Sequence, residues 1–170
     1  MYLISDLHLD HENIIKYCAR PFVTVKEMNE VLVNNWNRTI GENSKVYFLG
    51  DMSVKRGKTK YWISKLNGEI NIVKGNHDIQ GNENLVLEYK GEKFLLTHDP
   101  DPWLGKFEGW IIHGHKHNNN LLEYPFINPF RKTVNVSVEV IGYKPIELKE
   151  LYEFIKIAKR KKKILISNST

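Results

Sequence analysis

The chain has little cysteine and no long apolar run, and these two absences exclude several classes of protein. Its only cysteine, Cys18, leaves no partner for a disulfide within the chain. No apolar segment approaches the ~20 residues that a membrane-spanning helix needs. Residues 1–4 are typical of a strand rather than of a charged leader followed by an apolar run. We therefore expect a soluble, cytoplasmic protein that does not interact with a membrane.

The chain is also without internal repeats and low-complexity linkers. Its 170 residues are enough to bury a sizeable core, so we expect one domain over residues 1–170. The formal net charge of +5 is local, because the basic run at residues 159–163 alone contributes five positive charges. Such a run at a helix end complements the helix dipole. It has no interleaved aromatic residues for stacking bases, so nucleic-acid binding is the less favoured interpretation.

Strand and helix patterns alternate through the first half of the chain. The predicted strands are residues 2–5, 46–49 and 69–73, and the predicted helices are residues 12–18, 24–37 and 58–66. Residues 24–27 match a capping box, in which a threonine and a glutamate satisfy the first backbone donors of a helix. This alternation predicts βαβ units around a parallel sheet. Cys18 lies on an apolar helix face, which favours core packing over catalysis.

The second half of the chain has a different pattern. Residues 85–89 and 93–97 flank a glycine turn and predict a hairpin. The other predicted elements are a strand at 110–113, a long β-branched strand at 133–141 and an amphipathic helix at 147–159. Residues 164–170 are consistent with a last strand or a frayed tail.

Polar side chains that bind metals or transfer protons follow five of the predicted strands. They are Asp6 and His8, Asp51, Asn76 with His77 and Asp78, His98, and His115 with His117. Each signal is ordinary by itself, but together they predict one site assembled from five distant segments. We expect Asp6 and His8 to grip one ion, because side chains two positions apart in extended backbone point to the same side.

The donor types indicate which metals this site would take. Imidazole combined with carboxylate suits divalent manganese, iron, zinc, nickel or cobalt, whereas an all-oxygen set would indicate magnesium or calcium. The candidate ligand residues are too numerous for one four-coordinate zinc ion, but they fit two metals that share a carboxylate. Two such cations would leave a positive surplus that attracts an anion.

These residues carry a resemblance to a known family. In order along residues 6–117, the motifs Asp6-Leu7-His8, Gly50-Asp51, Gly75-Asn76-His77-Asp78, His98 and Gly114-His115-Lys116-His117 resemble the calcineurin-like metallophosphoesterase superfamily. The resemblance implies an α/β fold, a two-sheet β-sandwich flanked by helices on both sides. It also implies that Asp6, His8 and His117 bind one metal. Asn76, His98 and His115 would bind the other, and Asp51 would bridge them.

The resemblance implies an activity as well. A hydroxide held by two metals would attack a phosphoester, His77 would protonate the leaving oxygen as general acid, and Asp78 would orient His77. The short, single-domain form implies a small, nucleotide-like substrate, with monoester and diester both open. A nuclease acting on single strands and a non-catalytic scaffold on the same fold are the alternatives. The complete ligand set together with His77 favours the enzyme.

Several loop residues are further candidates for the site. His11 and Asn13 follow the first ligand pair closely and are predicted to contact substrate, as is Arg20. His113 has no place in the motif set and is expected to reach no metal. Lys116 stands between two ligands, so we expect its side chain to point away from them. The sequence leaves the oligomeric state open.

Overall fold

The strands of the chain form two sheets. The structure is a computed structural model that describes residues 1–55, 57–78 and 80–167. In chain order the strands are β1 (Tyr2–Ile4), β2 (Lys45–Phe48), β3 (Glu69–Ile72), β4 (Asn84–Tyr89), β5 (Glu92–Thr97), β6 (Trp110–His113), β7 (Ile127–Asn128), β8 (Thr133–Asn135) and β9 (Ile146–Glu147). The helices are α1 (Glu12–Tyr17), α2 (Val25–Thr39), α3 (Thr59–Ile63) and α4 (Leu148–Ser167), with a single 3-10 turn at Asp101–Trp103.

The first sheet has the order β3-β2-β1-β9, and its first three strands are parallel. Helices α1 and α2 connect β1 to β2, and α3 connects β2 to β3, which confirms the predicted βαβ units. The short strand β9 pairs with β1 in the antiparallel direction. Because β1, β2 and β3 run the same way, the segments that follow them all leave at one edge of the sheet.

The second sheet has the order β4-β5-β6-β8-β7. Its strands β4 and β5 form the predicted antiparallel hairpin, whose turn places Lys90 and Gly91 at φ of 50° and 78°. Strands β5, β6 and β8 are parallel, so His98 and the motif after β6 also emerge at a common edge. The predicted two-sheet α/β fold is therefore confirmed, with polar segments gathered at strand ends of both sheets.

Two apolar cores hold these layers together. One lies between the two sheets and α4, and it is built from buried residues that include Leu3, Tyr47, Phe94, Leu96, Trp110, Ile112, Leu151 and Ile155. The other lies between the first sheet and helices α1 and α2, and it includes Ile4, Phe48, Ile14, Cys18, Met28, Leu32 and Trp36. Burying each large apolar side chain contributes about 1.5–3 kcal/mol. The first sheet thus packs against the second sheet and α4 on one face and against α1 and α2 on the other, and Cys18 packs in the core as predicted.

Helix α2 begins with the predicted threonine cap, but its glutamate accepts a backbone amide one residue earlier in the chain than a capping box requires. Thr24 Oγ1 accepts the amide of Glu27 at 3.2 Å, as a capping box requires. The Glu27 carboxylate accepts the amide of Val23, at 2.8 Å, rather than that of Thr24. Both bonds satisfy backbone donors at the start of the helix, and a threonine cap stabilises a helix by about 1 kcal/mol.

Two predictions for the second half of the chain are wrong. The long strand predicted at 133–141 ends at Asn135, and a turn follows in which the amides of Val140 and Ile141 bond to the Ser137 carbonyl. The β-branched pattern reflects burial instead, since Val136 and Val138 are fully buried. Residues 164–167 continue α4, because the preceding Lys and Arg residues and Leu165 favour a helix and no Gly or Pro interrupts it. The rest of that predicted tail, 168–170, lies outside the described residues.

The described helices include none that is both long and apolar enough to cross a membrane.

Candidate metal centre

The candidate ligands reach one another through left-handed turns of the backbone. Asp6, His8, Asp51, His115 and His117 all have φ between 47° and 66°. Non-glycine residues rarely adopt this region because it costs free energy. Where such conformations do occur, they concentrate at functional sites. The prediction that extended backbone aligns Asp6 with His8 is therefore wrong in its geometry. The two side chains do converge, but successive left-handed turns bring them together.

Asp6 lies at the centre of the first cluster. Its Oδ1 is 3.9 Å from His8 Nε2 and 3.7 Å from His117 Nε2, and the carboxylate is fully buried. Oδ2 accepts the hydroxyl of Ser5 at 2.6 Å and the amide of His115 at 3.0 Å. These bonds hold the carboxylate in place, with Oδ1 facing the two imidazoles. The three side chains implied to share one metal are therefore together.

Asp51 lies between this cluster and His98. Its Oδ2 is 3.4 Å from His8 Nε2 and 3.4 Å from His98 Nε2. Its Oδ1 accepts the amide of His77 at 2.8 Å, which fixes the orientation of the carboxylate. One oxygen atom of Asp51 thus faces an imidazole from each of the two implied ligand sets, which is where a bridging carboxylate would lie.

The chemistry of the donors fits a divalent transition metal. The Nε2 atoms of His8 and His98 are buried and have no hydrogen-bond partner within the described parts of the chain. The second ring nitrogen of His98 is already engaged, since Nδ1 lies 2.7 Å from the Leu49 carbonyl. That contact makes Nδ1 the donor, so Nε2 is the atom that a metal would take in exchange for a proton. Buried imidazole nitrogens that converge on carboxylates without a hydrogen-bond partner are costly unless a cation binds them.

The structure brings the predicted ligands together to different degrees. Groups whose ligand atoms lie within 4.8 Å of one another are Asp6 with His8 and His117, Asp6 with Asp51 and His98, and His8 with Asp51 and His77. The His115 ring centroid lies 5.0 Å from that of His98, beside the second group. Asn76 is exposed and lines the same pocket as His98. His115 therefore lies beside the second group and Asn76 at the edge of the same pocket, but neither is a member of the three converging groups just named.

Glycines allow the ligand segments to approach this closely. A Cβ atom at Gly75 would meet the Asp51 carboxylate and lie 2.5 Å from the Asp51 backbone nitrogen. A Cβ atom at Gly114 would meet the Asp6 carboxylate and lie 2.7 Å from the Ser5 Cβ. Gly50 combines a φ of 95° with close packing against His98 and Gly75. The glycines of the motifs are therefore required by contact between backbone segments.

Asp78 does not have the predicted relation to His77. Its Oδ2 accepts the amides of Asp51 at 2.6 Å and Gly75 at 3.0 Å, and its Oδ1 accepts the amide of Met52 at 3.2 Å. A buried carboxylate that accepts three backbone donors ties the segment after β2 to the segment after β3. Both oxygens of Asp78 accept from these backbone amides, so Asp78 positions the ligand loops instead of the His77 imidazole.

His77 is exposed above the cluster. Its ring centroid lies 5.4 Å from that of His8 and 6.5 Å from that of His11. Its backbone amide is held by Asp51, so the turn delivers the imidazole to the open side of the ligands. This position, next to the ligands but accessible to solvent, is compatible with the role predicted for His77.

The three predicted substrate contacts have different positions. His11 caps α1, and its ring lies 5.4 Å from the His8 ring, so it borders the cluster. Asn13 is exposed on the first turn of α1. Arg20 is buried, and its guanidinium donates to the Asp6 carbonyl at 2.7 Å and to the Leu7 carbonyl at 2.9 Å. The prediction that Arg20 contacts substrate is not supported, because its side chain braces the turn that carries Asp6 and His8.

Glu139 is the residue of the site that the sequence reasoning missed. Its side chain is 1% exposed, and Oε1 lies 3.0 Å from His117 Nδ1 and 2.7 Å from Arg20 Nη2. It therefore orients a candidate ligand from behind, as carboxylates commonly do in metal sites. Glu139 is the one charged residue in the β-branched run at 133–141, and that isolation was the signal available in the sequence.

The electrostatics of the cluster follow from burial and from these pairs. Burial favours the neutral form of Asp6, but His117, His98 and His8 hold the pKa of its carboxyl well below the usual range. Burial lowers the pKa of His8 to about 4. For His98, burial opposes the charged form, yet Asp51 and Asp6 raise the pKa to about 9. For His117, burial is likewise outweighed by Cys18, Glu139 and Asp6, and the pKa rises to about 11.

The two remaining histidine and lysine predictions are consistent with the structure. His113 is fully buried, and its Nδ1 lies 2.9 Å from the Gly114 carbonyl, so it faces away from the candidate ligands. The Lys116 ammonium pairs with Asp99 at 3.0 Å and with Asp101 at 2.7 Å. Its side chain thus points away from the ligands, towards the segments that follow β5.

Comparisons with known proteins agree with this architecture. No family model matches the chain. The uncharacterized protein MJ1445 of Methanocaldococcus jannaschii is 52% identical over 163 residues, which cover 94% of this chain and 93% of that protein. The Gene 66 protein of Mycobacterium phage L5 is 31% identical over 83 residues, covering 45% of this chain and 39% of that protein.

Among solved structures, the crystal structure of AQ665 from Aquifex aeolicus, a protein of unknown function, has a TM-score of 0.69 and 25% sequence identity. The match covers 91% of this chain and 98% of that chain. The chain therefore belongs to one family with MJ1445, and it shares its two-sheet fold with AQ665.

Proposed function

We propose that this chain is a metal-dependent phosphoester hydrolase acting on a small, nucleotide-like substrate. The observation that carries the proposal is the convergence of two buried, unpartnered imidazole nitrogens, those of His8 and His98, on one oxygen of Asp51. Exposed His77 lies beside them, where a substrate can reach it. A scaffold could hold a metal with the buried nitrogens, but it would not need the exposed imidazole beside them.

The ligand sets support two divalent cations, of manganese, iron, zinc, nickel or cobalt. Asp6, His8 and His117 would hold one, Asn76, His98 and His115 the other, with Asp51 facing both. Bound there, the two cations would activate a water molecule and neutralise charge on the phosphoryl oxygens. The chain supplies rigidity, since Asp6, Asp51, His98 and His117 are each held by a further hydrogen bond.

His77 is the residue proposed to move the proton. Its amide is fixed by Asp51, so its imidazole stays on the solvent side of the ligands, where the leaving oxygen of a substrate would depart. From this position it would donate a proton to that oxygen as the ester bond breaks. General acid catalysis of this kind contributes about 10²- to 10⁴-fold to the rate. His11, at the border of the cluster, is the next candidate to contact substrate.

The nuclease alternative has less support, because the basic run begins far from the ligands. Lys159 forms an ion pair with Glu92 and lies 5.8 Å from the Trp110 ring centroid. Both partners stand at the beginning of their strands, β5 and β6, whereas the ligands follow the ends of those strands. His98 lies six positions after Glu92 along an extended strand, which corresponds to about 20 Å at ~3.3 Å per residue.

The test is metal binding and turnover measured on the same protein. The chain, stripped with chelator, is reloaded with each candidate metal, and its metal content is measured by mass spectrometry. Turnover is then measured with 4-nitrophenyl phosphate, bis(4-nitrophenyl) phosphate, cyclic nucleotides and single-stranded oligonucleotides. We expect hydrolysis of a small ester with at least one metal. Full metal loading without turnover of any substrate would overturn the proposal and favour the scaffold.

A further inference from the structure

A pocket of about 350 Å³ adjoins the candidate metal centre on the side of the second ligand set. Asn76 and His98 form one part of its lining, and Pro102 and Trp103 form another. The rest of the lining is Lys74, Gly75, Glu83, Asn84, Thr97 and Asp99. Pockets for small organic ligands begin at about 300 Å³. We call this the Trp103 pocket, and two candidate ligands of the second set, Asn76 and His98, line it.

Trp103 differs from the other tryptophans because its ring is neither buried in a core nor held by a hydrogen bond among the described residues. Trp36 and Trp110 are buried in the two cores, and Trp62 Nε1 donates to the Asp10 carboxylate at 2.9 Å. Trp103 is half-buried, and within the described residues its indole forms no ring pair, cation contact or side-chain hydrogen bond. An indole that lines a pocket and has no partner of its own offers a stacking surface for another flat ring.

The turn that carries Trp103 is fixed relative to the ligands. The Trp103 amide donates to the Pro100 carbonyl at 3.0 Å, and the Lys106 amide donates to the Trp103 carbonyl at 3.0 Å, which locks the 3-10 turn. Lys116, between His115 and His117 in the chain, pairs with Asp99 on the wall and with Asp101 at the start of that turn. The same lysine thus ties the ligand segment to the start of the turn that carries Trp103.

The carboxylates of the Trp103 pocket are both paired with lysines. The Asp99 carboxylate on the wall is 3.0 Å from the Lys116 ammonium, so it does not stand as a bare negative charge beside the phosphoryl position. At the rim, the Lys74 ammonium is 3.7 Å from Glu83, whose side chain is 82% exposed. That surface pair is weak and leaves the lysine able to turn toward an anion.

We propose that the Trp103 pocket binds the organic group of the substrate, and that this group carries a flat aromatic ring, as a nucleoside does, stacked on Trp103. The inference rests on the proposed function, since it places the ester group next to the phosphoryl position. Base stacking on an aromatic side chain is worth about 5- to 100-fold in affinity. The substrate class is therefore a nucleoside phosphoester in preference to an aliphatic one.

The test compares two substrates that differ only in the base. Metal-loaded wild type and variants hydrolyse a methyl phosphodiester of adenosine or the same diester of ribose without the base. We expect wild type to prefer the adenosine diester. Trp103→Ala should raise the KM for that diester about 5- to 100-fold and leave the abasic diester unchanged, while Trp103→Phe retains most of the preference. Tyr61→Ala, an exposed aromatic outside the pocket, is the control and should behave as wild type.

A binding measurement separates this inference from the proposed function. Adenosine 5′-monophosphate is titrated into the metal-loaded protein while tryptophan fluorescence is recorded. We expect quenching in wild type and its loss in Trp103→Phe, whether or not any ester is hydrolysed. Hydrolysis without a preference for the base, or equal quenching in Trp103→Phe, would overturn the pocket assignment alone. Quenching without hydrolysis of any ester would overturn the proposed function and keep the pocket.

Discussion

Replacing Glu139 by glutamine should weaken one metal site without touching the other. Glu139 Oε1 accepts from His117 Nδ1 at 3.0 Å and from Arg20 Nη2 at 2.7 Å, and both contacts are shielded from solvent. Glutamine retains the size and one oxygen acceptor but removes the negative charge. His117 would then keep an acceptor for Nδ1 but lose the negative charge that makes Nε2 a stronger donor.

The structure sets the expected size of two separate effects. Loss of such an outer partner typically lowers metal affinity about 10- to 100-fold, which corresponds to about 1.4–2.8 kcal/mol. Removing one member of a buried ion pair costs about 3–5 kcal/mol of stability. Arg20 keeps its bonds to the Asp6 and Leu7 carbonyls, so we expect the lower end of that range.

Isothermal titration of the metal-free protein with Mn²⁺ measures the first effect, and urea unfolding measures the second. Two binding events are expected for wild type, and Glu139→Gln should weaken only one of them. Glu123→Gln is the matched control, since Glu123 pairs with Arg131 at 2.7 Å but its side chain is 40% exposed. An exposed pair contributes less than about 1 kcal/mol. Unchanged Mn²⁺ affinity in folded Glu139→Gln would refute the orienting role.

Three further substitutions test other parts of the site. His77→Ala should keep both metals and lose about 10²- to 10⁴-fold in turnover, measured against Gln80→Ala, and normal turnover would remove the general-acid role. Asp78→Asn should lower the free energy of unfolding by about 1–3 kcal/mol for each amide left without an acceptor; a purely catalytic Asp78 would instead lower turnover at unchanged stability. Gly75→Ala should abolish folding or metal binding because the new Cβ would meet Asp51. In the control Gly41→Ala, the new Cβ would have only an ordinary contact, 3.7 Å from Ser44 Oγ, and the change should be tolerated. A Gly75→Ala variant that still binds metal would contradict the packing argument.

Local patterns in the sequence were sufficient to predict the βαβ units and the hairpin and to place the candidate ligands at strand ends, whereas the two-sheet arrangement was expected only from the family resemblance. Apolar runs define the strands, and the segments after parallel strands must emerge at one edge, so Asp6 and Asp51 were expected to meet. Cys18 on an apolar helix face was likewise expected in the core, where it lies. These inferences depend on neighbours in the chain and on the direction of strands, both of which the sequence displays.

Tertiary structure alone decided how the ligands are held. Arg20 and Glu139 are 119 residues apart, and no local pattern indicates that their side chains meet behind His117. Asp78 faces backbone amides rather than His77 because the turn after β3 packs against the turn after β2. The left-handed φ of Asp6 and His8 is likewise imposed by long-range contacts, because an isolated chain would favour other conformations. Sequence determined which groups come to the site, and packing between distant segments determined what each one faces.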